Sequence, residues 1–304
     1  KPGMTGSGGG AKLGAGAGPP GGGVCRGGRR ARGRLGAVVV NSSGATTFDQ
    51  AVYAASVTTD APGTLFLNGA RIDTTGTQSY GERAVLGADT ALKGSTVTLA
   101  QGVDGVAAGQ QSLTIDGNAH IGGTVGSNAA LAALTITGTA ALNTGAIQTT
   151  GAQSYQGNVT LGQALLIGTT DSDVGFGGTV TSAANTGSGL TVNAGAADVT
   201  FAQAVGNATT GRLGALAINS TGATTLGGAV YAASVDTNVG GTLAINGSRV
   251  DTTGTQTYGE LAVLGANTTL KGSSVNLSQG ADAATAGAQS LTIDGDATLG
   301  GNLG

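Results

Sequence analysis

The chain has 304 residues, with 60 glycines, no tryptophan and only 3% aromatic residues, which excludes a compact core centred on large aromatic side chains. Charged residues make up 10% and mean hydropathy is +0.15, the wrong direction for charge-driven disorder. The net charge of −3 divides into seven basic groups and no acid over residues 1–34 and about −10 for the rest, an acidic body unsuited to holding nucleic acid.

Residues 1–33 read as a disordered head rich in glycine and arginine. Three of the four prolines, the only methionine and the only cysteine lie there, and similarity to the rest begins abruptly at "GRLGA". A flexible linker, translation out of frame from a GC-rich gene and a polyanion-binding arm all fit this composition. "GAGPPG" at 16–21 matches Gly-x-Gly-x-x-Gly but holds two prolines and neither follows a strand nor opens a helix, so it is no dinucleotide site. Lys12 follows Ala11 and precedes Leu13, which breaks the phosphate-loop pattern, and Cys25 has no histidine nearby to activate it. No run approaches 18 apolar residues, and no signal peptide is visible. Beginning at Lys1 and stopping inside a repeated phrase, the sequence reads as part of a larger protein.

From residue 34 onward the chain repeats itself. Residues 34–126 and 212–304 are two copies of one long unit at an offset of 178, roughly two-thirds identical and without a gap. Within the unit runs a shorter beat of the form apolar-x-apolar-Asn/Asp/Thr, beginning at 38, 65, 113, 134, 190, 216, 243 and 291. Related phrases at 84, 164 and 262 bring this to about eleven beats of roughly 25 residues. In "LTID", Leu113 and Ile115 share one face and Thr114 takes the other, which is strand periodicity. Asn-Gly and Asp-Gly then supply the turn. A single coil cannot bury its apolar face alone, whereas stacked coils share a continuous interior. The expected fold is all-β, a parallel β-helix of about eleven rungs spanning 34–304.

The phrase "DTTGTQSYGE" at 73–82 returns at 251–260, with the variant "TTGAQSYQ" at 149–156. It reads as a corner with its flanking strand. Gly76 and Gly254 are expected to turn the chain through a positive φ, and Thr74 and Thr75 to favour extended backbone. Gln78, Gln153 and Gln256 are candidates for side-chain amide bonding, and Tyr80, Tyr155 and Tyr258 for covering exposed edges. On that basis Tyr258→Phe costs less than about 0.5 kcal/mol and Gly254→Val more.

Candidate chemistry is sparse. His120 is the only histidine, and its counterpart in the second copy is Thr298, so it reads as a surface residue. Asp73/Asp251, Glu82/Glu260, Asp104/Asp282 and Asp116/Asp294 recur at the 178-residue offset. A catalytic acid pair is needed once, so these duplicated acids read as turn residues. Asp171 and Asp173 are not duplicated; two carboxylates fall short of the six to eight oxygens of a strong calcium site and read as a solvated turn. The sequence thus assigns no catalytic, cofactor-binding or metal-binding residue, and the chain reads as no enzyme.

"TTGTQSYGERAVLGADTALKGSTVTL", "TTGAQSYQGNVTLG" and "TTGTQTYGELAVLGANTTLKGSSVNL", with "SGATTFDQAV" and "TGATTLGGAV", resemble the repeats of filamentous-haemagglutinin-like exoproteins of Gram-negative bacteria. The resemblance covers about residues 33–304. It implies a right-handed β-helix carried as a secreted or surface-held passenger, with a role in adhesion, aggregation or biofilm. It also implies a host-cell or neighbouring-cell surface and an outer-membrane transporter as partners. No catalytic residue carries over. A carbohydrate- or calcium-binding solenoid, or a polysaccharide-degrading β-helix, are the rival readings.

Overall fold

The computed structural model describes residues 33–304 together with the backbone of Met4–Thr5 and Ala11–Leu13; the remainder of the expected disordered head lies outside the described residues. Those two short strands pair with residues 40–41 and 46–48, so at these five positions the chain joins the stack. The described elements are all β-strands. Every strand pairing is parallel, and partners lie one coil apart in sequence. The molecule is a parallel β-solenoid.

Each coil contributes three strand segments, and each segment stacks on its equivalents to give one of three faces. The first face is traced by Val38, Val57, Gln78, Val97, Ala119, Ala140, Val159, Val180, Val205, Val230, Val250, Leu270 and Ile293, each paired with the next. This ladder gives thirteen turns. The second face runs from Thr46 through Leu65 and Ala84 to Leu277 and Leu299, and the third from Val52 through Ile72 and Leu92 to Leu264 and Ala283. At about 4.8 Å per rung the stack is on the order of 60 Å long.

The expectation of about eleven rungs of roughly 25 residues is corrected by these ladders. Steps along the first face run from 19 residues (38 to 57) to 25 (180 to 205), about 21 on average. The reason lies in the geometry of three faces. Val38 stands on the first face, Leu65 on the second and Leu113 on the third. The apolar-x-apolar phrase therefore marks any strand of a coil, not one strand per coil, and its spacing does not measure the turn.

Alternation supplies the interior. In Thr64–Leu67, Leu65 and Leu67 are fully buried while Thr64 and Phe66 face partly outward. The core is a column of Val, Leu, Ile and Ala with three tyrosines and three phenylalanines. On the third face Tyr155, Phe176 and Phe201 stack in successive turns, with ring centroids 5.1 and 4.7 Å apart and planes within 9° of parallel.

The two long copies fold alike but face differently. Val52, Ile72, Leu92 and Ile115 stand on the third face, whereas their counterparts Val230, Val250, Leu270 and Ile293 stand on the first. Likewise Gln78 lies on the first face and Gln256 on the second. An offset of 178 residues is eight turns and one face, so the second copy is turned by a third of a revolution about the axis.

Candidate functional site

The repeated phrase is an interior polar knot. Gln78 is fully buried, and its Nε2 donates to Lys93 O (2.8 Å), Ile72 O (3.1 Å) and Thr74 Oγ1 (3.3 Å). The Thr74 hydroxyl in turn donates to Gly76 O at 2.9 Å, and the Tyr80 hydroxyl donates to Gln78 Oε1 at 2.8 Å. The same set recurs at Thr149, Gln153 and Tyr155, and at Thr252, Gln256 and Tyr258. The amide satisfies carbonyls of its own coil and of the coil above, which bend away from ladder geometry at the corner. An unmade bond there leaves a buried group at a cost of about 1–3 kcal/mol. The glutamine reading stands.

The tyrosine and glycine readings change. Tyr80, Tyr155 and Tyr258 do not cover edges; they are at most 1% exposed, and burial pushes each phenol well above its ordinary pKa. A ring two residues beyond an inward glutamine also points inward, as strand alternation demands. Gly76 and Gly254 do not occupy the left-handed region. A Cβ at either would meet one carbonyl oxygen, of Ala55 or Ala233, at 3.0 Å. The positive-φ penalty expected at Gly254 therefore falls away, and the expected cost of losing the Tyr258 hydroxyl rises. Tyr258→Phe orphans Gln256 Oε1 and is expected to cost about 1–3 kcal/mol, more than Gly254→Ala. Urea melts of the two variants give the comparison, and a Phe variant as stable as the parent contradicts it.

The duplicated acids divide into four kinds. Asp73 pairs with Arg71 (2.7 Å) and with Arg34 (2.8 Å), and Arg34 also donates to Ala54 O, so one clamp ties three turns. The Arg71 guanidinium, outweighing desolvation, holds the Asp73 carboxyl below its usual range. Asp251, Arg249 and Arg212 repeat the clamp. Asp116 and Asp294 pair with Lys93 and Lys271. Asp104 is bound by Arg83 and Asn128, but the Arg83 counterpart is Leu261 and Asp282 is left exposed.

The expectation of turn residues holds in position only for Glu82 and Glu260, which lie in bends after Tyr80 and Tyr258; Asp73, Asp104, Asp116 and their copies stand within strands, which corrects that reading for them. Both glutamates are buried, each accepts the hydroxyl of a threonine one coil below (Thr59 and Thr237), and each keeps one oxygen with no partner among the described residues. At this corner the coil shortens from five residues between Thr59 and Leu65 to three between Tyr80 and Ala84, which draws the carboxylate inward. Burial raises the Glu260 carboxyl above its ordinary value, opposed by the Thr237 hydroxyl. A raised folded pKa makes the folded state bind its proton more tightly, so stability falls as pH rises from the ordinary carboxylate range through the raised value. Glu260→Gln is expected to be more stable than the parent at pH 8 and equal to it at pH 4. Melting both proteins at the two pH values decides, and a parent that outlasts the variant at pH 8 contradicts it.

The remaining candidates are placed without being gathered. Asp171, at φ 48°, accepts Ala196 N–H at 2.9 Å, and exposed Asp173 accepts Asp198 N–H at 3.1 Å, so both cap the coil above. His120 points outward on the first face. Lys12 lies in the strand Ala11–Leu13, whereas Cys25 and residues 16–21 fall outside the described residues. Among the described residues no group of three or more His, Cys, Asp and Glu is placed to hold a metal. No helix among them is long and apolar enough to cross a membrane.

Sequence reading missed the outer surface of the first face. From turn 2 to turn 8 one outward rank runs through Thr58, Ser79, Thr98, His120, Thr160 and Thr181, with Ala141 the one gap. The residues two positions earlier form a second rank, Ser56, Thr77, Thr96, Asn118, Thr139 and Thr179, with Asn158 before the last. All are exposed or half-exposed, and the first face over these turns carries no Asp, Glu, Lys or Arg in either rank. Only the turn length, known once coils are aligned, brings these residues into register.

No protein-family profile, curated protein or solved structure matches the chain.

Proposed function

We propose that this chain is a non-catalytic stalk of a large secreted or surface-held bacterial adhesin, which sets a distance and presents shallow, repeated surfaces along a stiff rod. One observation carries the reading. Most of the duplicated charged and amide groups hold coil to coil, as in the Arg34–Asp73–Arg71 clamp and the Gln78–Tyr80 knot, and the outward ranks of the first face over turns 2 to 8 are left mainly to small polar side chains. Continuous ladders over thirteen turns suit a load-bearing or spacing element, and weak contacts repeated along a rod gain avidity without any strong site. The partners under this reading are a host or neighbouring cell surface and, from the repeat resemblance, an outer-membrane transporter.

The test is adherence of beads coated with the full chain. They are expected to bind cultured cells or to co-aggregate with bacteria several-fold more than beads carrying heat-denatured chain. Equal adherence of the two, or release of reducing sugar from a polysaccharide panel by the soluble chain, rejects the reading.

A further inference from the structure

We propose that the first face of turns 2 to 8 docks an ordered, uncharged polysaccharide solid, a partner whose surface is itself a lattice of hydroxyls. The inference rests on the adhesive reading above and names its target.

The face is uniform although few of its side chains serve the fold: Asn118 and Asn158 accept the N–H groups of Thr139 and Thr179 one coil above, and the Thr181 hydroxyl reaches Val159 O. Its two ranks, seven turns deep, hold hydroxyls, amides, one imidazole and one methyl. Charged side chains of the same turns, such as Asp60, Arg71, Arg83 and Lys93, stand outside these ranks. Solvated strand faces ordinarily mix in Lys and Glu, because nothing but water meets them.

The second copy supplies an internal control. Turned by one face, it places the counterparts of the first five coils on the second face. There the counterpart of Thr58 is Asp236, and the counterpart of Asn118 is Asp296. The surrounding strands keep the same lengths and, apart from Ile121 and its counterpart Leu299, the same alternating apolar residues, with Asp296 standing on the last described turn. Asp236 shows that a carboxylate fits the backbone inside the stack at the Thr58 position, and at the Asn118 position a carboxylate oxygen can accept the Thr139 N–H as the amide oxygen does. Its exclusion from the first face, and the continuation of hydroxyl residues through the unduplicated coils at Thr139, Thr160 and Thr179, point to what lies against that face rather than to strand propensity.

Charge complementarity selects the partner. A neutral array offers no countercharge to phosphate, sulfate or carboxylate polymers, whereas each hydroxyl both donates and accepts toward another neutral hydroxyl surface. Each exchange of a water bond for such a bond gains only about 1 kcal/mol, and a mobile chain loses more than that in ordering its own rotors. A partner that is already a solid has no such loss, and straight ranks repeating every 4.8 Å or so add their small gains. A second copy of this chain is disfavoured by size. The plane is roughly 30 Å by 10 Å, well below the approximately 800 Å² per partner of a standard protein interface.

The experiment uses the full chain with microcrystalline cellulose and with chitin in a depletion assay. Depletion by at least one solid is expected, changing less than about twofold between 0.05 and 0.5 M salt because no ion pairs form. The double variant Thr58→Asp/Asn118→Asp is expected to melt as the parent does, since both carboxylates already exist at the equivalent positions. It should lose about tenfold or more in binding, because each added charge must be desolvated on docking. Thr257→Asp, on the second face at the counterpart of Ser79, is expected to bind as the parent. Depletion by neither solid, equal depletion of the double variant, a steep salt dependence, or retention on ice crystals but on neither polysaccharide overturns the inference. Failure on the solids with bead adherence to cells intact rejects this target and leaves the adhesive reading standing; loss of both rejects the reading itself.

Discussion

Phe176→Ala is expected to destabilise the solenoid by about 3–5 kcal/mol, the range for deleting a buried ring. Phe176 is 1% exposed and lies between Tyr155 and Phe201, so its loss removes both stacked contacts at once. Such contacts contribute about 0.5–1.5 kcal/mol each beyond their buried area. The hole cannot close. The backbones above and below are held by ladder bonds, Gln153 N–H donating to Asp173 O and Val174 N–H to Asp198 O, and these fix the spacing that the missing ring filled. Guanidinium melts of the full chain measure the loss, and Phe176→Leu should recover part of it. A cost under about 1 kcal/mol would show that the coil can slump around the cavity and that the third face is softer than its ladder implies.

The second large effect belongs to one glycine. Gly117 sits at φ +146°, and a Cβ there would strike the carbonyl oxygen of Gly94 in the coil beneath. This is the bulge where Thr90–Leu99 meets Leu113–Ile121: Lys93 pairs with Asp116, Thr96 pairs with Asn118, and the register shifts between them. Gly295 over Gly272 repeats the arrangement at φ +149°. Gly117→Val is expected to cost about 3 kcal/mol or more, combining a conformational penalty of about 1–2 with the overpacking penalty of about 1–3. Gly145, whose Cβ would meet nothing within 4 Å, is the comparison, and Gly145→Ala should stay within about 0.5 kcal/mol. Similar melting curves for the two variants would mean that the bulge relaxes freely and that the close approach at Gly94 is not a constraint.

Much of the fold was legible in the sequence. The alternation of Leu113, Thr114 and Ile115 marks a strand whichever face it joins, and the 178-residue offset aligns the strands of both copies. The number of turns was not legible, because three faces share one residue pattern and the phrase at 38, 65 and 113 samples each face in turn. The glutamine bonds were readable from residue type at a corner. The burial of Tyr80 was readable only by extending the parity of Gln78 two residues further, against the habit of placing tyrosine at edges. Glu82 gave no local signal: its burial follows from one coil being shorter than the coil below it at that corner. The ranks through Thr58 and Thr98 stayed hidden for the same reason as the turn count.

The offset of eight turns and one face has a consequence for how such a rod changes over generations. If a repeated segment can be set down a third of a revolution out of phase and still close every ladder, the three sides of the prism are equivalent building plots. Insertions or losses of about seven residues, one side of a coil, are then as acceptable as those of a whole coil, given turns of 19 to 25 residues. Unequal crossing-over between the two copies would therefore do two things in one genetic event. It would alter the reach of the rod, and it would swing everything downstream round the axis to look out over a different side.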